Sequence, residues 1–169
     1  MFDGINMQSS SYAVFIFLLF TINNSSQMLS ITLIIVLLFF LYENRKGKIF
    51  FGDNGTLMLG FIISYLFISD YNFNSYFSIE EIFLIMSLPG YELLRVTITR
   101  IGNKKHPFSP DRQHLHHYLI AKLNTNQSIL VLIALSLIPY LSSIFLNDYI
   151  AILLSVFLYI FVIKLLKDN

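Results

Sequence analysis

Three polar clusters bring together residue types that do chemistry. The first is Phe2-Asp3-Gly4-Ile5-Asn6, and the second runs from Lys48 through Gly52-Asp53-Asn54-Gly55 to Thr56. The third is Pro107-Phe108-Ser109-Pro110-Asp111-Arg112-Gln113-His114-Leu115-His116-His117. Asp-Gly and Asp-Asn-Gly are ordinary turn sequences, so Asp3 or Asp53 alone reads first as a turn residue. Asp53 stands apart because it directly precedes a segment that reads as a helix. Ahead of a helix, a carboxylate either accepts helix N–H groups or holds a cation while those N–H groups face an anion. Lys48, five residues earlier, adds a positive charge suited to phosphate. The histidines are zinc-ligand types, but on a helix His114 and His117 share a face while His116 points away, so a single ion is poorly served. Two other readings stand. One is a solvated, pH-sensitive surface cluster. The other, with Arg112, is a set of contacts to phosphate or to a sugar nucleotide. Leu115, Tyr118, Leu119 and Leu123 fall roughly on one face, so Gln113 to Leu123 reads as a helix along a membrane surface, with His and Arg turned to water.

Glu92 and Arg95 lie three apart, which places them on one helical face where they can pair. Ionisable groups at membrane depth are costly and usually face a polar cavity. The pair is thus either self-neutralising at an interface or one wall of a substrate cavity. Pro89-Gly90, just before it, should kink the helix that carries it.

The elements that position these clusters follow from composition. Of 169 residues, 56% are hydrophobic and 12% charged, where a soluble domain carries about 25% charged residues. No charged residue occurs from Gly4 to Tyr42. As one helix that run would far exceed a bilayer core of about 30 Å, so it holds more than one span. The expected fold is all-α, a polytopic transmembrane helix bundle of about six spans forming a single integral membrane domain over 1–169. The spans are Gln8–Ile22, Met28–Tyr42, Gly55–Ser69, Ile79–Thr99, Ser128–Leu146 and Tyr149–Leu166. The absence of Cys excludes a disulfide framework and a thiolate metal site. A net charge of +1 gives no reason to expect nucleic acid. The acidic, turn-like start Met1-Phe2-Asp3-Gly4 is not that of a secretory signal.

All 11 Lys and Arg residues fall in the segments at 43–54 and 100–127, at the inner end of span four, or in the tail; none falls at 23–27, 70–78 or 147–148. The positive-inside rule then places both termini, the 43–54 loop and the long 100–127 loop between spans four and five in the cytoplasm. All three polar clusters share that side, which is more than insertion requires.

These residues resemble a known family. PFSPDRQHLHH is similar to the signature of the polyprenyl-phosphate N-acetylhexosamine-1-phosphate transferases. KIFFGDNGTLMLGF resembles that family's Gly-Asp-x-Gly motif opening a transmembrane helix, and FDGIN its Asp-Gly-x-Asn element. Order, spacing and sidedness also match. The resemblance covers essentially this whole chain but about the C-terminal half of the family. It implies transfer of a sugar-1-phosphate from a UDP-N-acetylhexosamine to undecaprenyl or another polyprenyl phosphate, with release of UMP, at the bacterial plasma membrane. It implies Mg²⁺, or Mn²⁺ in its place, with Asp53 as the metal position, because Mg²⁺ takes carboxylate and water oxygens. Asp53 and Asp3 are then the catalytic carboxylates. Arg112, His114, His116 and His117 match the loop that holds the nucleotide sugar. Lys48 and Asn6 match further substrate contacts. The PFSPDRQHLHH form looks closer to members that initiate O-antigen or teichoic acid synthesis than to the peptidoglycan member.

The chain also departs from the family. The adjacent aspartate pair of the family's N-terminal half is absent from this sequence. Asn6-Met7-Gln8 stands where many members continue Gly-Leu, and Glu92 where Asp is frequent. The expectation is a transferase whose N-terminal half lies outside this sequence; the alternative is a truncated non-catalytic remnant or a split subunit. A transporter would need polar groups along the span centres, and spans one, two, five and six are largely apolar.

Overall fold

The computed structural model describes residues 5–23, 26–106, 109 and 113–167. All regular structure among them is helical: α1 (Gln8–Ile22), α2 (Gln27–Arg45), α3 (Gly52–Phe73), α4 (Ile79–Ile85), α5 (Ser87–Gly102), α6 (Leu115–Lys122), α7 (Thr125–Ser143) and α8 (Asp148–Lys167). Five segments are long and apolar enough to cross a membrane: α2, α3, α4 with α5, α7 and α8. The protein is a multi-pass helical membrane protein. The first expected span, α1, has 15 residues, about 22 Å at 1.5 Å per residue and so shorter than a bilayer core.

The chain divides into two compact units, residues 1–82 and 83–169. In the first, α1 packs on α2 and α3. A helix apolar on every side is an interior helix, and α1 buries Tyr12, Phe15, Ile16, Phe17, Leu19 and Phe20. Phe20 meets Phe67 and Phe77 with ring centroids 4.8 and 5.1 Å away, and Phe67 meets Phe77 at 5.6 Å. The 74–78 connection is pinned by Asp70, a buried carboxylate that accepts from the Phe77 N–H at 3.1 Å. The outward faces of α2 and α3 carry large apolar side chains such as Phe39 and Phe61, 72% and 71% exposed. An apolar surface of that kind is stable against lipid rather than water.

In the second unit α7 and α8 pack together, and α5 and α6 each pack on both. The expected fourth span is broken. α4 ends at Ile85 and α5 begins at Ser87, with Met86 at φ −93° and ψ 6°. Pro89 is the cause: it has no N–H to donate, and its ring crowds the carbonyl four residues back, at Ile85. Within α5 it occupies the first turn, where a missing N–H costs little. α7 opens with a capping box: Asn124 Oδ1 accepts from the Gln127 N–H at 2.9 Å and Gln127 Oε1 accepts from the Asn124 N–H at 3.3 Å.

Candidate functional site

In the second unit the Glu92 carboxylate is a meeting point. From its own helix, Arg95 donates twice, Nη2 to Oε1 at 2.8 Å and Nε to Oε2 at 3.2 Å. From α8, the Tyr159 hydroxyl donates to Oε2 at 2.6 Å. From the start of α6, the Leu115 N–H donates to Oε1 at 2.8 Å, and His114 Nδ1 lies 3.2 Å from the same oxygen. Arg95 extends the network. Its Nε also donates to the Tyr159 oxygen at 2.9 Å, and its Nη2 donates to the Gln113 carbonyl. Arg95 Nη1 is buried without a hydrogen-bond partner among the described residues. A little farther along the helices, Tyr91 and Ser155 share a hydrogen bond of 2.7 Å.

This geometry shows the pairing that the spacing of Glu92 and Arg95 suggests. They pair, and they do more than neutralise each other, because the pair ties α5, α8 and the Gln113–Leu115 turn together. Tyr159 was not expected in a polar role. A signal existed: Ser155 and Tyr159 stand four apart, on one face of an otherwise apolar helix.

The histidines differ from the helical-wheel expectation. α6 begins at Leu115, so His114 lies ahead of it with extended dihedrals, φ −72° and ψ 146°. The wheel therefore does not apply across all three. The rings of His114 and His116 stack with centroids 5.4 Å apart, and His116 and His117 stand 4.3 Å apart. His114 and His117 are 6.5 Å apart. Nor do all three turn to water, since His114 and His116 are buried beside Leu115 and Leu119. Burial pulls the His116 imidazole well below its usual range, to about 4, and the neighbouring His117 and His114 push the same way against a weaker opposing pull from Glu92.

In the first unit, Asp53 is exposed in the first turn of α3, and its side chain caps no helix N–H. Gly52 just before it has φ +61°, a conformation that side chains other than glycine's resist. Gly55 lies under the Phe51 ring: a Cβ there would meet Phe51 Cδ1 at 2.5 Å. The Gly-Asp-Asn-Gly spacing thus lets the chain turn sharply and lets Phe51 pack over the first helical turn. Lys48 is exposed and lies 3.6 Å from Glu43. Asn6 is exposed. Asp3 and Arg112 lie outside the described residues.

Asn44 is the residue that sequence reasoning missed here. It is buried, its Oδ1 accepts from the Met7 N–H at 2.5 Å, and its Nδ2 donates to the Ile49 carbonyl at 2.6 Å. One amide therefore links the chain just after the first polar cluster to the start of the second. Among the described residues no three metal-ligating side chains converge.

The model of glycosyl transferase family 4 matches residues 1–70. A protein of Bacillus subtilis named probable undecaprenyl-phosphate N-acetylglucosaminyl 1-phosphate transferase is 35% identical over 125 residues, which cover 71% of this chain and 35% of that protein. Over its matched part, the chain belongs to glycosyl transferase family 4. Proteins named undecaprenyl-phosphate alpha-N-acetylglucosaminyl 1-phosphate transferase are also similar. That of Salmonella typhi is 31% identical over 94 residues and that of Escherichia coli K12 29% over 93, each match covering 54% of this chain and 25% of the relative. The chain thus spans about a third or less of the length of these relatives. No solved structure matches it. The residues matched by the family model include Asp3, Asn6, Lys48 and Asp53; the histidines lie beyond them.

Proposed function

We propose that the protein takes part in transferring N-acetylhexosamine 1-phosphate from a UDP-sugar to undecaprenyl phosphate, releasing UMP and starting a cell-envelope polysaccharide. The observation that carries this reading is the 125-residue similarity to the Bacillus subtilis protein named for that transfer to undecaprenyl phosphate. Attack on a pyrophosphate develops negative charge on oxygens that cations must neutralise. A bound Mg²⁺ would supply that charge and orient the phosphates. Asp53 fits as one ligand, because Mg²⁺ is commonly held by one or two carboxylates together with substrate phosphates and water. Its carboxylate is exposed at a helix start and spent on no cap. The described residues offer no complete cage.

The chain's residues then take separate parts. The first turn of α3 presents backbone N–H groups to an anion beside Asp53. Asp3 and Asn6 serve as polar contacts to substrate. Lys48, alternating with its contact to Glu43, offers a positive charge to phosphate. Arg112 and the three imidazoles hold the nucleotide sugar, with His116 neutral at pH 7 and so acting as a hydrogen-bonding ring rather than a cation. The apolar outer faces of the helices leave the polyprenyl chain in lipid while its phosphate reaches the cytoplasmic mouth.

The test is UMP release by the protein as its gene encodes it, in detergent with undecaprenyl phosphate, UDP-N-acetylglucosamine and Mg²⁺. Release should depend on both substrates and stop with a chelator. Asp53→Asn should lower the rate at least about a hundredfold, the scale on which groups that stabilise developing charge act. An unchanged rate in Asp53→Asn removes Asp53 from the metal site.

A further inference from the structure

The Glu92 carboxylate is fully engaged. A carboxylate offers about four lone-pair positions, and Glu92 faces five donors at 2.6 to 3.2 Å: two from Arg95, and one each from Tyr159, Leu115 and His114. It is also buried, 8% exposed. Nothing remains for a metal ion or for a proton taken from substrate, so neither task is open to it. What the arrangement does achieve is orientation. Three of the contacts fix Glu92 itself, through Arg95 and Tyr159. The other two fix the start of α6, because the Leu115 N–H and the His114 ring both rest on Oε1. Arg95 adds a third tie through the Gln113 carbonyl. Three consecutive residues, Gln113 to Leu115, are thereby clamped to α5.

We propose that Glu92 is a positioning residue that sets the tautomer and direction of His114. The carboxylate only accepts, so the bond to Nδ1 requires a proton there, and a neutral ring held this way has its lone pair at Nε2. His116 stacks on His114 with an interplanar angle of 6°, so the orientation imposed on one ring carries to the second. With its oxygens engaged by these donors, Glu92 acts through the imidazoles. This role rests on the transferase reading above only for its consequence in turnover.

The decisive measurement is nitrogen NMR of the detergent-solubilised protein with ¹⁵N-labelled histidine, assigned with His114→Gln. The wild type should show His114 protonated at Nδ1, and Glu92→Gln, which keeps the shape but can turn an NH₂ toward the ring, should shift it to a tautomer mixture. In the UMP-release assay Glu92→Gln should lower kcat by about 10- to 100-fold, as loss of a histidine-orienting partner does, while KM for the sugar nucleotide stays within about threefold. Tyr159→Phe, which removes one donor to Glu92 without leaving a void, should give a smaller change in the same direction. An Nδ1 of His114 without a proton in the wild type overturns the proposal, as does a His114 spectrum that Glu92→Gln leaves unchanged. If the wild type releases no UMP, the transferase reading falls, and the nitrogen spectra still decide the positioning role.

Discussion

His116 shows how far a side chain's surroundings can move its chemistry. Its ring is 4% exposed, with His114 and His117 on either side and Glu92 as the nearby acid. In the unfolded chain its pKa is about 6.5, and in the fold it lies near 4. Between those two values the unfolded chain takes up a proton that the folded chain refuses, so the stability is fully present above about pH 6.5 and is lost as pH falls toward 4. Thermal unfolding followed from pH 7.5 to 4.5 should show a falling midpoint, and His116→Gln should flatten that fall. An identical slope in His116→Gln would assign the acid sensitivity to other groups. The clustering of three histidines was readable from their spacing, but their geometry was not. A helical wheel presumes a helix, and His114 sits one residue ahead of α6 because its neighbour's N–H is taken by Glu92. That long-range bond, between residues 23 apart, leaves no trace in local sequence.

At the scale of elements, apolar runs located the helices well because a bilayer leaves the backbone few alternatives. Gln8–Ile22 has the expected bounds, and α2, α3, α7 and α8 begin or end within a few residues of the expected spans. α3 begins at Gly52 and α7 at Thr125, ahead of the expected starts, because polar first turns belong to helices that hydropathy alone trims. Pro89 marked a weak point in the fourth span, and the break falls at Met86, on the side where the proline ring crowds a carbonyl. What hydropathy could not give is how connections are held. Asn44 illustrates this: it looks like an ordinary polar residue at a helix end, yet its amide grips Met7 on one side and Ile49 on the other. Asn44→Ala should therefore leave a part-buried N–H and carbonyl unmatched, costing about 1–3 kcal/mol. A lowered unfolding midpoint in detergent checks this, and hydrogen exchange should quicken at the Met7 amide, the one donor that Asn44 binds. A midpoint equal to wild type would mean that water replaces both bonds at no cost.

At the scale of the whole molecule, orientation in the membrane is the property on which the proposed transfer depends, since a nucleotide sugar is a cytoplasmic substrate. The expected sidedness rests on charge. Every Lys and Arg lies on segments that alternate with ones carrying none, and insertion keeps such basic segments inside. Asp53, Lys48 and the histidines all sit on the basic side of that map. Asn74, at the end of α3, is exposed on the side without cations, and Asn103, at the end of α5, is exposed on the side rich in them. Because the chain contains no Cys, a single introduced thiol reports its own location. A membrane-impermeant maleimide added to intact cells should label Asn74→Cys and leave Asn103→Cys untouched until the cells are opened. The reverse pattern would put the three polar clusters outside the cell, away from any nucleotide sugar, and the proposed reaction would fall with it.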